Sequence, residues 1–253
     1  MFQNEKRPMM NASRRLPIVF CLDISPSMGW KTHGNSSSID LLNAAVSNFL
    51  NDLRADPKAS ACAEVAFVTF SSNIKMDTSF ETISTLKTPK FRAVWRGGTN
   101  LSEAVLRSIE KIEKRRKELE INQIPYYAPF LVIITDGDPD GADEVTRQMQ
   151  AVAAVKKHCE SHVGAAEIIV PFVIGVGDHI SSNTLNEYAA GFTPGYFPIR
   201  GTAERMKINF QKAFQLIGNS VKKSIKLNGK PTEESISTIQ PDMEDFWRTL
   251  VGQ

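Results

Sequence analysis

Apolar residues along the chain follow two alternating patterns. Short continuous apolar runs predict buried strands, and these runs are 16–23, 64–70, 130–135, 168–176 and 196–199. Between them, apolar residues recur at every third or fourth position and predict helices. The first helix runs from a cap at Ser38 or Asp40 to Arg54, and the others are 101–120, 142–162, 184–190 and 203–217. Strands that alternate with helices predict an α/β fold with a mostly parallel sheet.

The predicted fold is Rossmann-like, a doubly wound, mostly parallel sheet with helices on both faces. The run 130–135 is almost wholly apolar, which is typical of a parallel strand buried on both faces. The short segment 74–76 is predicted as an antiparallel edge strand, whereas Pro171 is awkward inside a central strand. The expected organisation is an N-terminal extension over 1–13, one domain over 14–220 and a tail over 221–253.

The composition is that of an ordinary globular protein, with 253 residues, of which 42% are hydrophobic and 23% are charged. The net charge of +2 gives no drive toward nucleic acid or membrane. The 3 cysteines are an odd number without paired spacing, which favours a reducing compartment. Residues 1–15 lack the apolar core of a signal peptide. We therefore expect a cytoplasmic protein that binds neither nucleic acid nor membrane.

Oxygen-bearing side chains stand at the ends of two predicted strands and in one loop. Asp23, Ser25 and Ser27 come at the end of the first strand, and Asp136 follows the third apolar run. Thr99 lies in a Gly-Gly loop just before a helix. Because the carboxyl ends of parallel strands share one edge of a sheet, we expect these side chains to meet there. Carboxylate and hydroxyl oxygens are ligands that hard divalent cations such as Mg²⁺ prefer.

Three short motifs hold these residues, and they are Asp23-Ile24-Ser25-Pro26-Ser27, Gly97-Gly98-Thr99 and Thr135-Asp136-Gly137. In this order they resemble the metal-ion-dependent adhesion site of von Willebrand factor A domains, and the resemblance covers about residues 14–218. It implies that Ser25 and Ser27 bind the ion directly, with Asp23 acting through water. It also implies that Thr99 and Asp136 exchange between direct and water-mediated contact.

The resemblance implies that the ion serves protein binding and not catalysis. Two carboxylates roughly balance a divalent charge and the hydroxyls add none, so the ion keeps enough positive character to take an Asp or Glu of a partner protein. Mg²⁺ suits this shell better than Ca²⁺, which prefers more carboxylates, and Mn²⁺ would compete. We therefore expect a non-enzymatic adaptor.

Two other segments, 15–18 and 51–57, narrow the resemblance. They are similar to segments of bacterial cytoplasmic von Willebrand factor A proteins of the tellurite-resistance TerY type. That similarity implies company with a kinase or phosphatase in stress-response, tellurite-resistance or phage-defence signalling.

Two other functions stay open at this point. A metal-dependent hydrolase or phosphatase could use the same site, although the motifs hold no histidine and Asp23 lacks the second carboxylate of an aspartyl-phosphatase motif. Alternatively, a structural ion could do no more than hold the loops together. Chelation would separate the three interpretations by its effects on partner binding, turnover and melting temperature.

The loop 28–38 and the tail each have two interpretations. Trp30, Lys31 and His33 stand next to the first motif, so the loop either sets partner specificity or is a solvated insertion. The aromatic pair at 246–247, within an acidic stretch, either docks on a partner or folds back on the domain.

Two other groups of residues imitate metal sites. Asp138 and Asp140 match half of a calcium loop, but Arg147 stands where the bidentate glutamate should be, so we interpret them as rim residues and helix caps. His158 and His162 have zinc-like spacing, yet they are more typical of a helix C-terminus.

Overall fold

The computed structural model describes residues 13–31, 36–140, 143–159, 168–178, 180–189 and 195–226. The strands in this part of the chain are β1 (Leu16–Asp23), β2 (Ala63–Phe70), β3 (Ile74–Lys75), β4 (Glu81–Thr82), β5 (Phe130–Thr135), β6 (Val170–Val176) and β7 (Phe197–Ile199). The helices are α1 (Ser38–Ala55), α2 (Pro57–Cys62), α3 (Leu101–Ile121), α4 (Glu144–Cys159), α5 (Ser182–Ala189) and α6 (Ala203–Lys226). A single turn of 3-10 helix covers Pro26–Gly29.

The strands form one sheet in the order β3-β2-β1-β5-β6-β7, and β4 also pairs with β2. β1 runs parallel to both β2 and β5, and β5, β6 and β7 continue in parallel. β3 and β4 are antiparallel to β2. The predicted mostly parallel sheet with an antiparallel edge is confirmed, and β4 is an addition that the apolar pattern did not indicate.

Helices cover both faces of the sheet, so the central strands are buried on both sides. One face packs against α1 and α6, and the other packs against α3, α4 and α5. On the first face, the ring of Phe20 stacks on Phe67 and Phe214 at centroid distances of 5.6 and 5.8 Å, and meets Phe49 edge-on at 5.4 Å. This aromatic cluster fixes the middle of β1, whose carboxyl end carries the first motif.

The start of α1 and the segment after it differ from the prediction. The cap of α1 is Ser37, not Ser38 or Asp40. Its hydroxyl accepts from the Asp40 N–H at 3.4 Å, and the Asp40 carboxylate accepts from the Ser37 N–H at 3.2 Å. After α1, the carboxylate of Asp56 accepts two backbone N–H bonds of 3.0 Å and Pro57 takes the first helical position, so a further helix, α2, begins where a simple break was expected.

The last helix is longer than predicted. The expected end was at 217, whereas α6 continues to Lys226 because its buried stripe extends through Ile225. The hydroxyl of Tyr127 donates to the Ile225 carbonyl at 3.1 Å and ties this end to the domain. α6 therefore crosses position 220, where the tail was expected to begin.

The other elements agree with the prediction over the described residues. Positions 142, 160–162 and 190 of the predicted helices lie outside those residues, as do 1–12 and 227–253. Pro171 is accommodated in β6 because β7 pairs with β6 only from Ile174 onward, so the missing N–H removes no bond from that ladder. Among the described helices, none has the length and apolarity needed to cross a membrane.

Candidate metal centre

The candidate site lies at the topological switch point of the sheet, between β1 and β5. From β1 the chain adds β2 on one side, and later returns to add β5 on the other side. Connections that leave adjacent parallel strands in opposite directions open a crevice at the carboxyl ends of those strands. Asp23 ends β1 and Asp136 directly follows β5, so both carboxylates stand at this crevice.

Hydrogen bonds from backbone N–H groups fix the loop after β1. The Ile24 N–H donates to the Phe70 carbonyl at 2.8 Å, which continues the pairing with β2 for one residue past the strand. The Ser25 N–H donates to the Asp23 carboxylate at 2.7 Å. Pro26 then begins the 3-10 turn, where its fixed φ and absent N–H are compatible with a first helical position. This turn brings the hydroxyl of Ser27 back toward β5.

The two serine hydroxyls of this loop meet the carboxylate of Asp136. Ser27 Oγ donates to Asp136 Oδ1 at 2.8 Å, and Ser25 Oγ lies 3.4 Å from the same oxygen. The two hydroxyl oxygens are 3.0 Å apart. The structure thus brings together side chains more than a hundred residues apart, as the motif order predicts.

Thr99 reaches the same rim through a loop that Asp140 holds in place. The Thr99 N–H donates to the Asp140 carboxylate at 2.7 Å, and the Asp140 N–H donates to the Thr99 carbonyl at 3.0 Å. A Cβ on Gly98 would lie 2.3 Å from Asp140 Oδ1, so this closeness requires glycine. The Thr99 hydroxyl lies beside Gly137, where a Cβ would stand 3.2 Å from it. All five predicted site residues therefore border one crevice.

Two residues that support the site were not among those predicted to form it. Thr135 donates its hydroxyl to the second oxygen of Asp23 at 2.7 Å. Asp140 was interpreted as a rim residue or helix cap, whereas its carboxylate positions the Thr99 loop. Thr135 stands inside the third motif and could have been found there. Asp140 carries no such signal, because its role depends on the approach of two loops that are distant in sequence.

The electrostatics of the crevice favour a cation. Asp23 is fully buried and Asp136 is 6% exposed, and neither forms an ion pair with any described residue. Burial raises the pKa of Asp23 even though Thr135 and Ser25 donate hydrogen bonds to it. Burial, followed by the charge of Asp23, raises the pKa of Asp136 to about 7. A cation between these carboxylates would oppose both effects.

The donor set fits a small hard divalent ion. Within the described residues, no group of three or more His, Cys, Asp and Glu side chains could hold a metal. The crevice instead combines two carboxylates with hydroxyl oxygens from two serines and a threonine. Oxygen ligands of low total charge suit Mg²⁺ or Mn²⁺ better than Ca²⁺, which prefers more carboxylates.

The other candidate metal groups have other contacts. Asp138 accepts from the N–H of Ser181, the residue before α5, at 3.0 Å, so it holds the start of that helix from outside. His158 is buried near the end of α4 with its Nε2 3.9 Å from the Glu113 carboxylate. His162 and His33 lie outside the described residues.

The doubly wound sheet and the oxygen-rich crevice at its switch point define an α/β domain with a candidate cation site. A sequence model of the von Willebrand factor type A domain matches residues 18–211, and the chain therefore belongs to this family. Domains of the family are generally metal-dependent protein-interaction modules. The narrower similarity to TerY-type proteins stays a prediction.

Solved structures share the fold at low sequence identity. The PilB minor pilin from Streptococcus sanguinis superposes with a TM-score of 0.59 and 15% identity, over 88% of this chain and 65% of the pilin. BatB from Bacteroides thetaiotaomicron, a conserved hypothetical protein, gives a TM-score of 0.53 and 16% identity over 83% and 99% of the two chains. A von Willebrand factor type A protein from Catenulispora acidiphila gives a TM-score of 0.51 and 13% identity, over 79% of this chain and 43% of that protein. Among curated proteins, none matches this sequence.

Proposed function

We propose that this chain is a non-enzymatic adaptor that holds Mg²⁺ and captures an acidic residue of a partner protein. The observation that carries the proposal is the pair of buried carboxylates, Asp23 and Asp136, which lack a cationic partner among the described residues. Two such groups destabilise a folded domain when both are ionised, unless a positive charge lies between them. A divalent ion supplies that charge.

The hydroxyl ligands determine what the ion can do next. Ser25, Ser27 and Thr99 offer neutral oxygens, so the protein contributes only the two carboxylate charges. When bound, the ion supplies a positively charged position that takes an oxygen ligand from outside. A partner Asp or Glu brings both the oxygen and a negative charge, so it fits this position better than a neutral group. Mn²⁺ would compete for the same ligands.

The surroundings of the crevice favour binding over catalysis. Among the described residues, no histidine or lysine is hydrogen-bonded or ion-paired to the five ligands. Both serine hydroxyls are directed at Asp136, which is itself a candidate ligand. A hydrolase needs a general base or a nucleophile that stands free beside the ion. The hydrolase alternative therefore has less support than the adaptor.

The setting of the adaptor is proposed from sequence similarity alone. The segments 15–18 and 51–57 are similar to those of TerY-type proteins. That similarity supports a cytoplasmic protein that works with a kinase or phosphatase in bacterial stress-response, tellurite-resistance or phage-defence signalling.

Metal titration and affinity capture together test the function. Calorimetric titration with Mg²⁺ and Mn²⁺ should detect binding to the wild-type chain and to Thr146→Ala, an exposed threonine on α4, but not to Thr99→Ala. Capture of a protein from the native cell should be lost with chelator and with Thr99→Ala.

Each alternative gives a different result in these assays. Capture that is unchanged by chelation would contradict the adaptor. A structural ion would lower the melting temperature on removal without any metal-dependent partner. Metal-dependent turnover of phosphoesters or esters would favour the hydrolase.

A further inference from the structure

Two segments meet on one side of the crevice and carry large exposed side chains. The Val94 N–H donates to the carbonyl of Ile24, within the first motif, at 2.8 Å. A Cβ on Gly29 would lie 2.9 Å from the Cβ of Ala93, so the Ala93 side chain packs directly against Gly29. The Trp30 N–H closes the 3-10 turn on the Ser27 carbonyl at 3.0 Å. Both segments therefore adjoin the loop that carries Ser25 and Ser27.

Tryptophan is exposed in both segments. Trp30 is 57% exposed and Trp95 is 80% exposed, although tryptophan is usually well buried in a folded domain. The guanidinium of Arg96 lies 3.6 Å from the centroid of the Trp95 ring, so the two side chains form a cation–π contact. Exposed tryptophan and arginine side by side are the residue types that dominate the energetics of protein interfaces.

Cations without a carboxylate partner among the described residues accompany the tryptophans. Lys31, Arg92 and Arg96 are exposed, and none of them forms an ion pair with any described residue. We call the surface formed by Trp30, Lys31, Arg92, Trp95 and Arg96 the cationic rim.

Acidic side chains after β5 and β6 also lie near the crevice. The carboxylate of Asp138 accepts from the Ser181 N–H, that of Asp140 accepts from the Thr99 N–H, and Asp178 lies 3.4 Å from Arg200. These acids therefore have local partners, whereas Lys31, Arg92 and Arg96 form no ion pair with a described carboxylate.

We propose that the cationic rim binds a run of acidic residues that adjoins the Asp or Glu at the metal on the partner protein. The inference rests on the proposed function, because the carboxylate at the ion fixes the position of the run. Carboxylates of the run would pair with the free lysine and arginines, while the indole rings pack against the peptide and the aliphatic parts of its side chains. Asp138 and Asp140 would repel such a run, so we expect it to extend from the metal away from these two carboxylates.

A peptide fits this surface better than a nucleic acid. A single strand carries a phosphate at every nucleotide and needs a basic groove that follows its backbone. Here Asp140 contacts the Thr99 loop that follows the rim segment, and Asp138 lies two residues before it. The whole chain has a net charge of only +2. A short acidic segment can stop at the metal, whereas a polynucleotide that occupied the rim would continue into repulsion.

Fluorescence anisotropy with labelled peptides tests the proposal on the full chain in Mg²⁺. The probes are one peptide with a single Asp among Gly and Ser, two peptides in which several Glu residues precede or follow that Asp, and an oligothymidylate. Of the two acidic peptides, the one whose Glu residues reach the cationic rim should bind more tightly than the single-Asp peptide. The expected gain is roughly two- to thirtyfold if two exposed ion pairs form. A fifth probe is a peptide of residues 240–248, which hold Asp242, Glu244 and Asp245 of this chain.

Substitutions in the rim distinguish it from the metal site. The double substitution Arg92→Gln with Arg96→Gln should remove the advantage of the acidic run and leave binding of the single-Asp peptide unchanged. Its matched control is Lys114→Gln with Lys117→Gln, two exposed lysines on α3 that should change neither. Trp95→Ala should weaken the binding of all the peptides. Ile121→Ala, which removes a similarly exposed apolar side chain (78%), should not.

The outcomes separate the rim from the proposed function. If the acidic run keeps its advantage in the double arginine variant, the rim proposal fails while the metal-dependent adaptor stands. Tighter binding of the oligothymidylate would overturn the proposal in favour of nucleic acid, and tightest binding of the 240–248 peptide would replace the partner with this chain's own tail. If peptide binding is insensitive to chelator, the adaptor fails and the arginine variants still decide whether the rim selects acidic runs. No binding of any probe overturns both.

Discussion

The stabilisation that an ion gives this domain should depend steeply on pH, because the pKa of Asp136 rises from its ordinary 3.8 to about 7 in the folded chain. A raised pKa means that the folded state holds the proton more tightly than the unfolded state does. In the absence of metal, the stability from this proton is complete below the unfolded pKa and is lost as the pH rises through the folded pKa. At 1.36 kcal/mol for each unit, the loss is about 4 kcal/mol.

A bound divalent ion should reverse this trend, since it favours the carboxylate over the carboxylic acid. At about pH 5 the ion has to displace the proton, so it should stabilise the domain little. Near pH 8 the proton is already gone and the ion removes the repulsion between Asp136 and Asp23. Of the full loss of about 4 kcal/mol, about 2.7 kcal/mol falls between pH 5 and pH 8, at 1.36 kcal/mol for each unit from 5 to 7. For a domain of this length that corresponds to roughly 5–11 °C in melting temperature.

Thermal melts in Mg²⁺ and in chelator across this pH range provide the measurement. The difference between the two melting temperatures should grow with pH in the wild-type chain and vanish in Asp136→Asn. Asp52→Asn, which alters an exposed carboxylate on α1, should behave as the wild type. Equal stabilisation by Mg²⁺ at both ends of the range, or growth with pH that persists in Asp136→Asn, would refute the reasoning.

Three other substitutions have defined effects. Gly98→Ala should lower Mg²⁺ affinity roughly tenfold by displacing the Asp140 carboxylate, and its effect should not add to that of Asp140→Ala; calorimetry measures both. Thr135→Val should reduce the free energy of unfolding by about 1.5–3 kcal/mol at neutral pH because Asp23 loses a hydrogen bond, as urea denaturation would show. Phe20→Ala should cost about 3–5 kcal/mol in the same assay by opening a cavity in the aromatic cluster.

Each of these has a control and a contradicting result. Additive losses in the Gly98→Ala and Asp140→Ala double variant would mean that the glycine acts on something other than that carboxylate. For the hydrogen bond to Asp23, Thr146→Val makes the same chemical change on the exposed side of α4, and an equal loss there would contradict the assignment. Phe20→Leu keeps most of the volume, so it should cost much less than Phe20→Ala.

The fold could be predicted largely from apolar periodicity, because the residues that must be buried when strands and helices pack are the ones that are apolar in the sequence. β1 and β5 are buried on both faces, and that burial is visible in the sequence as uninterrupted apolar runs. α2 and β4 could not be predicted in this way. α2 depends on the capping of two N–H groups by Asp56, and β4 is two residues long, too short for a period to be visible.

The candidate ligands could be predicted and most of their supports could not. Asp23, Thr99 and Asp136 each follow a recognisable strand or precede a helix, so chain order alone places them at one edge. The bond from the Thr99 N–H to Asp140 depends on how closely two loops approach, and no periodicity reports that distance. Such contacts are set by tertiary packing, which local sequence patterns do not contain.

The choice of hydroxyls around two buried acids explains why the site is both costly and useful. A lysine or arginine in place of Ser25 or Ser27 would bring a positive charge to Asp136 within the chain. It would also occupy the position of the ion and leave nothing for an outside carboxylate to bind. The serines satisfy Asp136 with hydrogen bonds of 2.8 and 3.4 Å but bring no charge. On the proposed function, a divalent ion would balance the two carboxylates, and its remaining coordination position would be open to an oxygen of an acidic partner.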